Sequence, residues 1–109
     1  MEKLKQNMNH TVNYSYLYAI ADHTNQLIKL GYAQNPQQRC AQLQTGNPNV
    51  LSVIWSTAID QSRARIVEQK IHREYNHKRV RGEWFRMSAA EAEQVLAHAV
   101  IRWSDDLSI

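Results

Sequence analysis

Four side chains spread through the chain have the chemistry to handle a phosphate ester: Tyr18, Lys29, Arg39 and Glu68. A lone carboxylate among cationic and phenolic groups suits one Mg2+ (or Mn2+) beside a phosphate, because these hard ions take oxygen ligands and share them with substrate. An arginine in that company stabilises charge building on the phosphate oxygens, since its planar fork of donors matches their geometry. His72 follows Glu68 by four residues, so the two share a face of any helix that carries them. Taken singly, each has a commoner structural use: Tyr18 in a core, Glu68 and Arg39 on a solvated surface, His72 in a satisfied helix. The usual marks of other enzyme classes are missing. With one cysteine, Cys40, and no paired-histidine spacing there is no zinc signature. No GxSxG-like elbow is present for a serine nucleophile. The three glycines form neither a phosphate loop nor a dinucleotide fingerprint, so no organic cofactor is expected.

The elements that must position these residues are marked clearly. "YSYLYAIA" (14–21) is apolar and aromatic without Gly or Pro, and reads as a strand. "DHTNQ" (22–26) supplies turn formers and "LIKLGYA" (27–33) a second strand, making an antiparallel hairpin that sets Tyr18 and Lys29 side by side. Asn35 as cap, Pro36 at the first helical position and Gly46 beyond the end mark a short helix. Its buried face is Leu43 with Ala41 or Cys40, which leaves Arg39 to point elsewhere. "VLSVIWSTAI" (50–59) is a third, mostly buried strand. Asp60 caps a helix over 61–76, with Ala64, Ile66, Val67, Ile71 and Tyr75 at helical spacing. "HKRVRGEWFRM" (77–87) reads as a basic loop turning at Gly82 into a short extended segment. Ser88 and Glu91 form a capping box for a last helix near 89–103, with Ala92, Val95, Leu96, Ala99 and Trp103 inward.

The expected fold is therefore α+β: a small three-stranded, mostly antiparallel sheet flanked by helices, with an extra C-terminal helix. Residues 1–13 read as a flexible leader, 14–88 as the domain, and 89–109 as a helix packed on it. No apolar run approaches the roughly 20 residues that span a bilayer, and the polar start is not a secretory signal. A lone cysteine fits a reducing cytoplasm. Charge is uneven: residues 61–86 hold eight Lys/Arg against three Glu, a net +5, and residues 87–109 carry a net −3. Such a basic stretch suits a polyanion, and Arg63, Arg65, Arg73, Lys78, Arg79 and Arg81 are the candidates to grip DNA backbone phosphates.

"YLYAI", "IKLGYAQNPQQR" and then "E…H…GEWF" together resemble the GIY-YIG nuclease superfamily over residues 14–88. The resemblance is closest to a compact phage and prophage branch whose second motif reads Lys-Ile-Gly and which ends in Gly-Glu-Trp-Phe. Tyr16-Leu17-Tyr18 stands in place of Gly-Ile-Tyr, and Lys29-Leu30-Gly31 in place of Tyr-Ile-Gly. The resemblance implies a three-stranded sheet and Mg2+-dependent hydrolysis of DNA phosphodiesters. By it, Tyr18 positions or deprotonates the attacking water, Arg39 stabilises the phosphate and Glu68 binds the metal. Gly31 lets the backbone turn close to a phosphate. Two positions depart from the pattern. Lys29 replaces the second motif tyrosine: its ammonium can bind phosphate, lower the Tyr18 pKa, or mark loss of two-tyrosine chemistry. Glu83 stands near the place of a family asparagine, either as a second acidic contact to metal or water or as a buried glutamate holding Arg81 or the loop, with Trp84 and Phe85 as core plugs.

Two functions follow as expectations: a metal-dependent DNA endonuclease or nickase, or a catalytically inactive DNA-binding module derived from one. Both place the protein in the cytoplasm or at the nucleoid, with no membrane partner. A protein adaptor acting through the C-terminal helix and Trp103 is a weaker third reading; an oligomer is possible but nothing in the sequence indicates one.

Overall fold

The computed structural model describes residues 13–103. The expected leader lies almost wholly outside the described residues, as do Asp105 and Asp106 of the acidic tail. In chain order the elements are β1 (Tyr14–Asp22), β2 (Leu27–Ala33), α1 (Pro36–Gln44), β3 (Leu51–Asp60), α2 (Gln61–Glu74), a 3-10 turn (Asn76–Lys78), β4 (Arg79–Arg81), β5 (Trp84–Phe85) and α3 (Ala89–Trp103).

The helix starts follow the capping residues. Asn35 accepts from the Gln38 N–H at 3.0 Å, and Asp60 accepts from the Ser62 N–H at 2.9 Å. Ser88 accepts from the Glu91 N–H at 3.1 Å. The Glu91 carboxylate pairs with Lys78 at 3.0 Å and so ties the 3-10 turn to α3.

The sheet has five strands in the order β3-β1-β2-β5-β4, not three, and every pairing is antiparallel. The two extra strands come from residues 77–87: β5 is the short extended segment expected after Gly82, and β4 lies in what was expected as a basic loop. Gly82, at φ +55, lets the chain reverse tightly. Val80, Trp84 and Phe85 supply the β-forming side chains, and β5 docks on the edge of β2 at Ile28 and Lys29.

Side chains alternate across the sheet and build a core on each face. Leu17, Ala19, Ile28, Leu30 and Phe85 join Ala64, Val67 and Ile71 of α2 and Ala92, Val95, Leu96 and Ala99 of α3. On the other face Tyr18, Ile20 and Leu51 pack with Cys40 of α1. The β1–β2 register pairs Tyr18 with Gly31 and Ile20 with Lys29. Tyr18 and Lys29 thus share a face as diagonal neighbours and are not directly opposite. The four-residue loop at 23–26 fixes this register, with Asp22 opposite Leu27. Among the described residues no helix is long and apolar enough to cross a membrane.

Candidate active site

The site is built on the part of β2 that β5 fails to cover. β5 pairs with Ile28 and Lys29 only, so the outward backbone groups of Leu30 and Tyr32 need other partners. The Leu30 N–H donates to the Glu83 carbonyl at 3.0 Å. The Leu30 carbonyl accepts from His72 Nε2 at 2.7 Å. The Tyr32 N–H donates to the Glu68 carboxylate. Side chains of α2 therefore finish the sheet edge, and the edge in turn fixes where Glu68 and His72 sit. Glu68 and His72 lie four residues apart on α2, as the sequence spacing requires.

A carbonyl only accepts, so Nε2 of His72 carries the proton. In the neutral ring this leaves Nδ1 with the free lone pair. Burial holds the His72 pKa below the ordinary histidine value, which favours that neutral form. The ring also packs, tilted, 5.2 Å from the centroid of Phe85.

Glu83 comes to the site from the turn after Gly82. Its Oε1 accepts from Lys29 Nζ at 2.7 Å. Lys29 is buried, at 6% exposure, and its ammonium also lies 5.9 Å from the centroid of the Trp84 ring. A buried ammonium requires an anionic partner, and Glu83 is that partner, so it does not hold Arg81. Glu83 also stands close to Glu68, whose raised pKa lets the two carboxyl groups hold a proton between them near neutral pH. Burial first, then the Glu83 charge, pushes the Glu68 pKa up to about 7, against the pull of Lys29 and the Tyr32 N–H.

Tyr18 reaches from β1 across Gly31. A Cβ at position 31 would stand 2.6 Å from the Tyr18 hydroxyl, 2.8 Å from its Cζ and 3.1 Å from Glu83 Oε1. The glycine is required by this close approach and not by its backbone angles. Arg39, exposed on α1, hydrogen-bonds the Tyr18 hydroxyl. Burial and then the Glu83 charge raise the Tyr18 pKa to about 12, although Arg39 acts in the opposite sense. This corrects the expectation that Lys29 makes Tyr18 more acidic: the Lys29 charge is spent on Glu83, and the phenol stays protonated at neutral pH.

Glu68, His72 and Glu83 each offer one ligand atom, and these atoms lie within 4.8 Å of one another. Ligands about 2.1 Å from a six-coordinate ion stand roughly 3 to 4.2 Å apart. A small contraction of these side chains therefore fits a divalent cation. Two carboxylates with one imidazole suit Mn2+ at least as well as Mg2+.

The four residues singled out from sequence thus come together with His72, Gly31 and Glu83 around one end of the β1–β2 pair. The basic residues divide into two groups. Arg65, Arg73 and Arg81 are exposed. Arg79 is engaged within the fold: it donates to Asn76 Oδ1 at 2.9 Å, to the carbonyl of Gly82 and to that of His72, and it lies 5.1 Å from the Phe85 ring centroid. Lys78 pairs with Glu91, and Arg63 donates to the Trp103 carbonyl at 3.2 Å. What sequence reasoning missed is the coupling of Lys29 to Glu83, 54 positions apart. Its one sequence signal was an unusual lysine inside an apolar strand, which demands a buried acid.

Residues 13–103 match the family model of the T5orf172 domain, and the chain belongs to that family. The match replaces the likeness to the GIY-YIG superfamily suggested by the motif segments, which is withdrawn. The departures at Lys29 and Glu83 already stood against that likeness, and the two residues are committed to an ion pair that a tyrosine at position 29 could not make. Neither a curated protein nor a solved structure matches the chain.

Proposed function

We propose that this protein is a divalent-metal-dependent phosphodiester hydrolase that cuts or nicks DNA. The observation that carries this reading is the convergence of Glu68, His72 and Glu83 within 4.8 Å, beside a phenol that already binds an arginine. Two carboxylates and an imidazole held this close together are a usual ligand set for a divalent cation.

Glu68, Glu83 and Nδ1 of His72 would hold Mg2+ or Mn2+, which when bound supplies Lewis-acid stabilisation of charge on the phosphate. Arg39 turns its exposed guanidinium to the non-bridging oxygens, where it is worth most as charge accumulates. The protonated Tyr18 hydroxyl would orient the attacking water by accepting its hydrogen bond, and as the new P–O bond forms and the old one breaks the water's proton would pass through solvent to the leaving oxygen. Lys29 holds Glu83 in place through their ion pair. Arg65, Arg73 and Arg81 attract the DNA backbone and give affinity without sequence choice.

A second reading, DNA binding without hydrolysis, has one observation in its favour: Oε1 of Glu83 is already occupied by Lys29. Supercoiled plasmid incubated with Mg2+, Mn2+ or EDTA separates the two. Hydrolysis predicts nicking that needs the metal and falls by at least ~100-fold in Glu68→Ala. Nicking retained in a clean Glu68→Ala preparation sinks the site assignment, and salt-sensitive binding with no cleavage in either metal selects the second reading.

A further inference from the structure

Among the described residues, the sheet face at the start of β1 is only partly covered. Residues 14, 16, 18 and 20 alternate onto one face. Ile20 and Tyr18 are covered by α1 through Cys40, whereas Tyr16 is only half-buried and Tyr14 is 56% exposed. Neither ring belongs to the two cores. Their cross-strand neighbours are small: Ala33 and Ala58 stand opposite Tyr16, and Ser56 stands opposite Tyr18. Ala58 and Ser56 are themselves exposed. Asp60, opposite Tyr14, is occupied by Ser62 as the cap of α2. The result is a flat, weakly polar strip that carries two aromatic rings and runs directly into Tyr18 and Arg39.

We propose that this strip is a stacking subsite for unpaired nucleobases of the strand whose phosphate lies at Tyr18 and Arg39, which makes the substrate single-stranded or frayed DNA rather than closed duplex. The proposal deepens the hydrolase reading and rests on it for the position of the phosphate. Alternate residues of a strand stand about 6.8 Å apart, twice the ~3.4 Å step of bases within one DNA strand. Rings at that spacing can receive bases only from a strand that has opened its own stack. An accessible aromatic face is a sequence-tolerant platform, because every base presents a π surface. Continuity with a phosphate-handling arginine favours a nucleic acid over a second protein chain as the occupant.

The test uses the full chain carrying Glu68→Gln, so that nothing is cut, and fluorescence anisotropy with labelled DNA. The probes are an oligothymidine of about 12 nucleotides, a length within the range one such binding groove covers, a closed duplex, and a fork with unpaired arms. Tyr14→Ala is expected to weaken binding to the single strand and the fork about 5- to 20-fold, to change duplex binding less than about 2-fold, and to be restored by Tyr14→Phe. Tyr14 is exposed, so its truncation leaves the fold intact, and a thermal melt verifies this. An abasic substitution scanned along the oligothymidine should weaken the Tyr14 protein at one position and leave Tyr14→Ala unaffected there. Equal affinities of Tyr14 and Tyr14→Ala proteins for the single strand, or equal losses on duplex, overturn the proposal. Tyr14-dependent binding with no cleavage of the oligothymidine or the fork by the wild type in Mg2+ or Mn2+ keeps the subsite and rejects hydrolysis. Nicking with no Tyr14 dependence rejects the subsite alone, and no binding to any of the three DNAs rejects both.

Discussion

Asp22 and Glu68 are carboxylates attached to the same β1–β2 pair, and their surroundings are opposite. Asp22, 6% exposed, closes the hairpin loop. It accepts from the Thr24 and Asn25 N–H groups at 3.0 and 3.1 Å, and from the side chains of Asn25 and Asn49 at 3.0 and 3.1 Å. Burial alone would raise its pKa, but these four donors outweigh it and hold the pKa below the ordinary carboxylate value. Glu68 has one backbone donor, a second carboxylate against it and burial, and its pKa is pushed up to about 7. The first arrangement is complete without any ligand and serves the fold. The second sets two carboxyl groups in conflict, and under the proposed function a bound cation would relieve that conflict. Carboxylates of one chain can thus be sorted into structure and function by whether their acceptor oxygens are already satisfied.

The sharpest way to break this comparison is to exchange satisfaction for conflict at Asp22. Asp22→Asn replaces one acceptor oxygen with an NH2 group facing amide donors. It should destabilise the protein by roughly 1.5–3 kcal/mol and lower Tm by roughly 5–15 °C in a thermal melt. Its DNA nicking below that Tm should be unchanged. A variant that melts like the wild type would remove Asp22 from the structural class.

The converse change at Glu68 should act in the opposite direction. Glu68→Gln still accepts from Tyr32 and can donate to Glu83, but it removes the like-charge pair. In EDTA at pH 8 it should melt a few degrees above the wild type while losing nicking. Stability gained together with activity lost identifies a functional conflict, whereas a lower Tm would make Glu68 structural.

The pH dependence gives a smaller and more specific effect. Because the folded Glu68 pKa of about 7 lies above its ordinary value of 4.5, the folded protein binds the extra proton between those limits. The Glu68 contribution is therefore fully present below about pH 4.5 and is lost as pH rises through about 7. His72, whose pKa is lowered, contributes in the opposite sense up to pH 6.5. The Glu68 part is thus read from the difference between wild-type and Glu68→Gln melting curves in EDTA, which should widen in favour of the variant from pH 4.5 to 7. A flat difference contradicts the shared-proton pair. Asp22, with its lowered pKa, contributes stability present above pH 3.8 and lost only as pH falls through its folded value.

Much of this architecture was legible because its signals are local. Asn35, Asp60 and Ser88 fix helix starts through bonds to residues two or three positions on, and the β1 and β2 runs declare themselves by composition. Tyr18, Arg39, Glu68 and His72 could be singled out because their residue types are unusual in those settings. The extended segment at Trp84–Phe85 could be read, but the strand at Arg79–Arg81 and the pairing of both could not: three and two residues carry too little periodicity, and the pairing depends on the distant edge of β2. The same limit hid the Lys29–Glu83 pair and the true neighbour of Tyr18. Register is set by the 23–26 loop and the Asp22 network, which make Lys29 a diagonal neighbour of the phenol on the same face. The family likeness failed for a related reason, since short motif segments match in spacing without carrying the side chains that define the family.

The central claim is that Glu68, His72 and Glu83 form a cation site, and it is tested most directly by Mn2+ titration at pH 8 followed by the electron paramagnetic resonance of free Mn2+. The wild type should take up one ion per chain, with affinity falling at least ~10-fold in both Glu68→Gln and Glu83→Gln and declining as pH drops below about 7, where the proton reclaims Glu68. Uptake that is absent, or that survives both substitutions undiminished, would contradict the account.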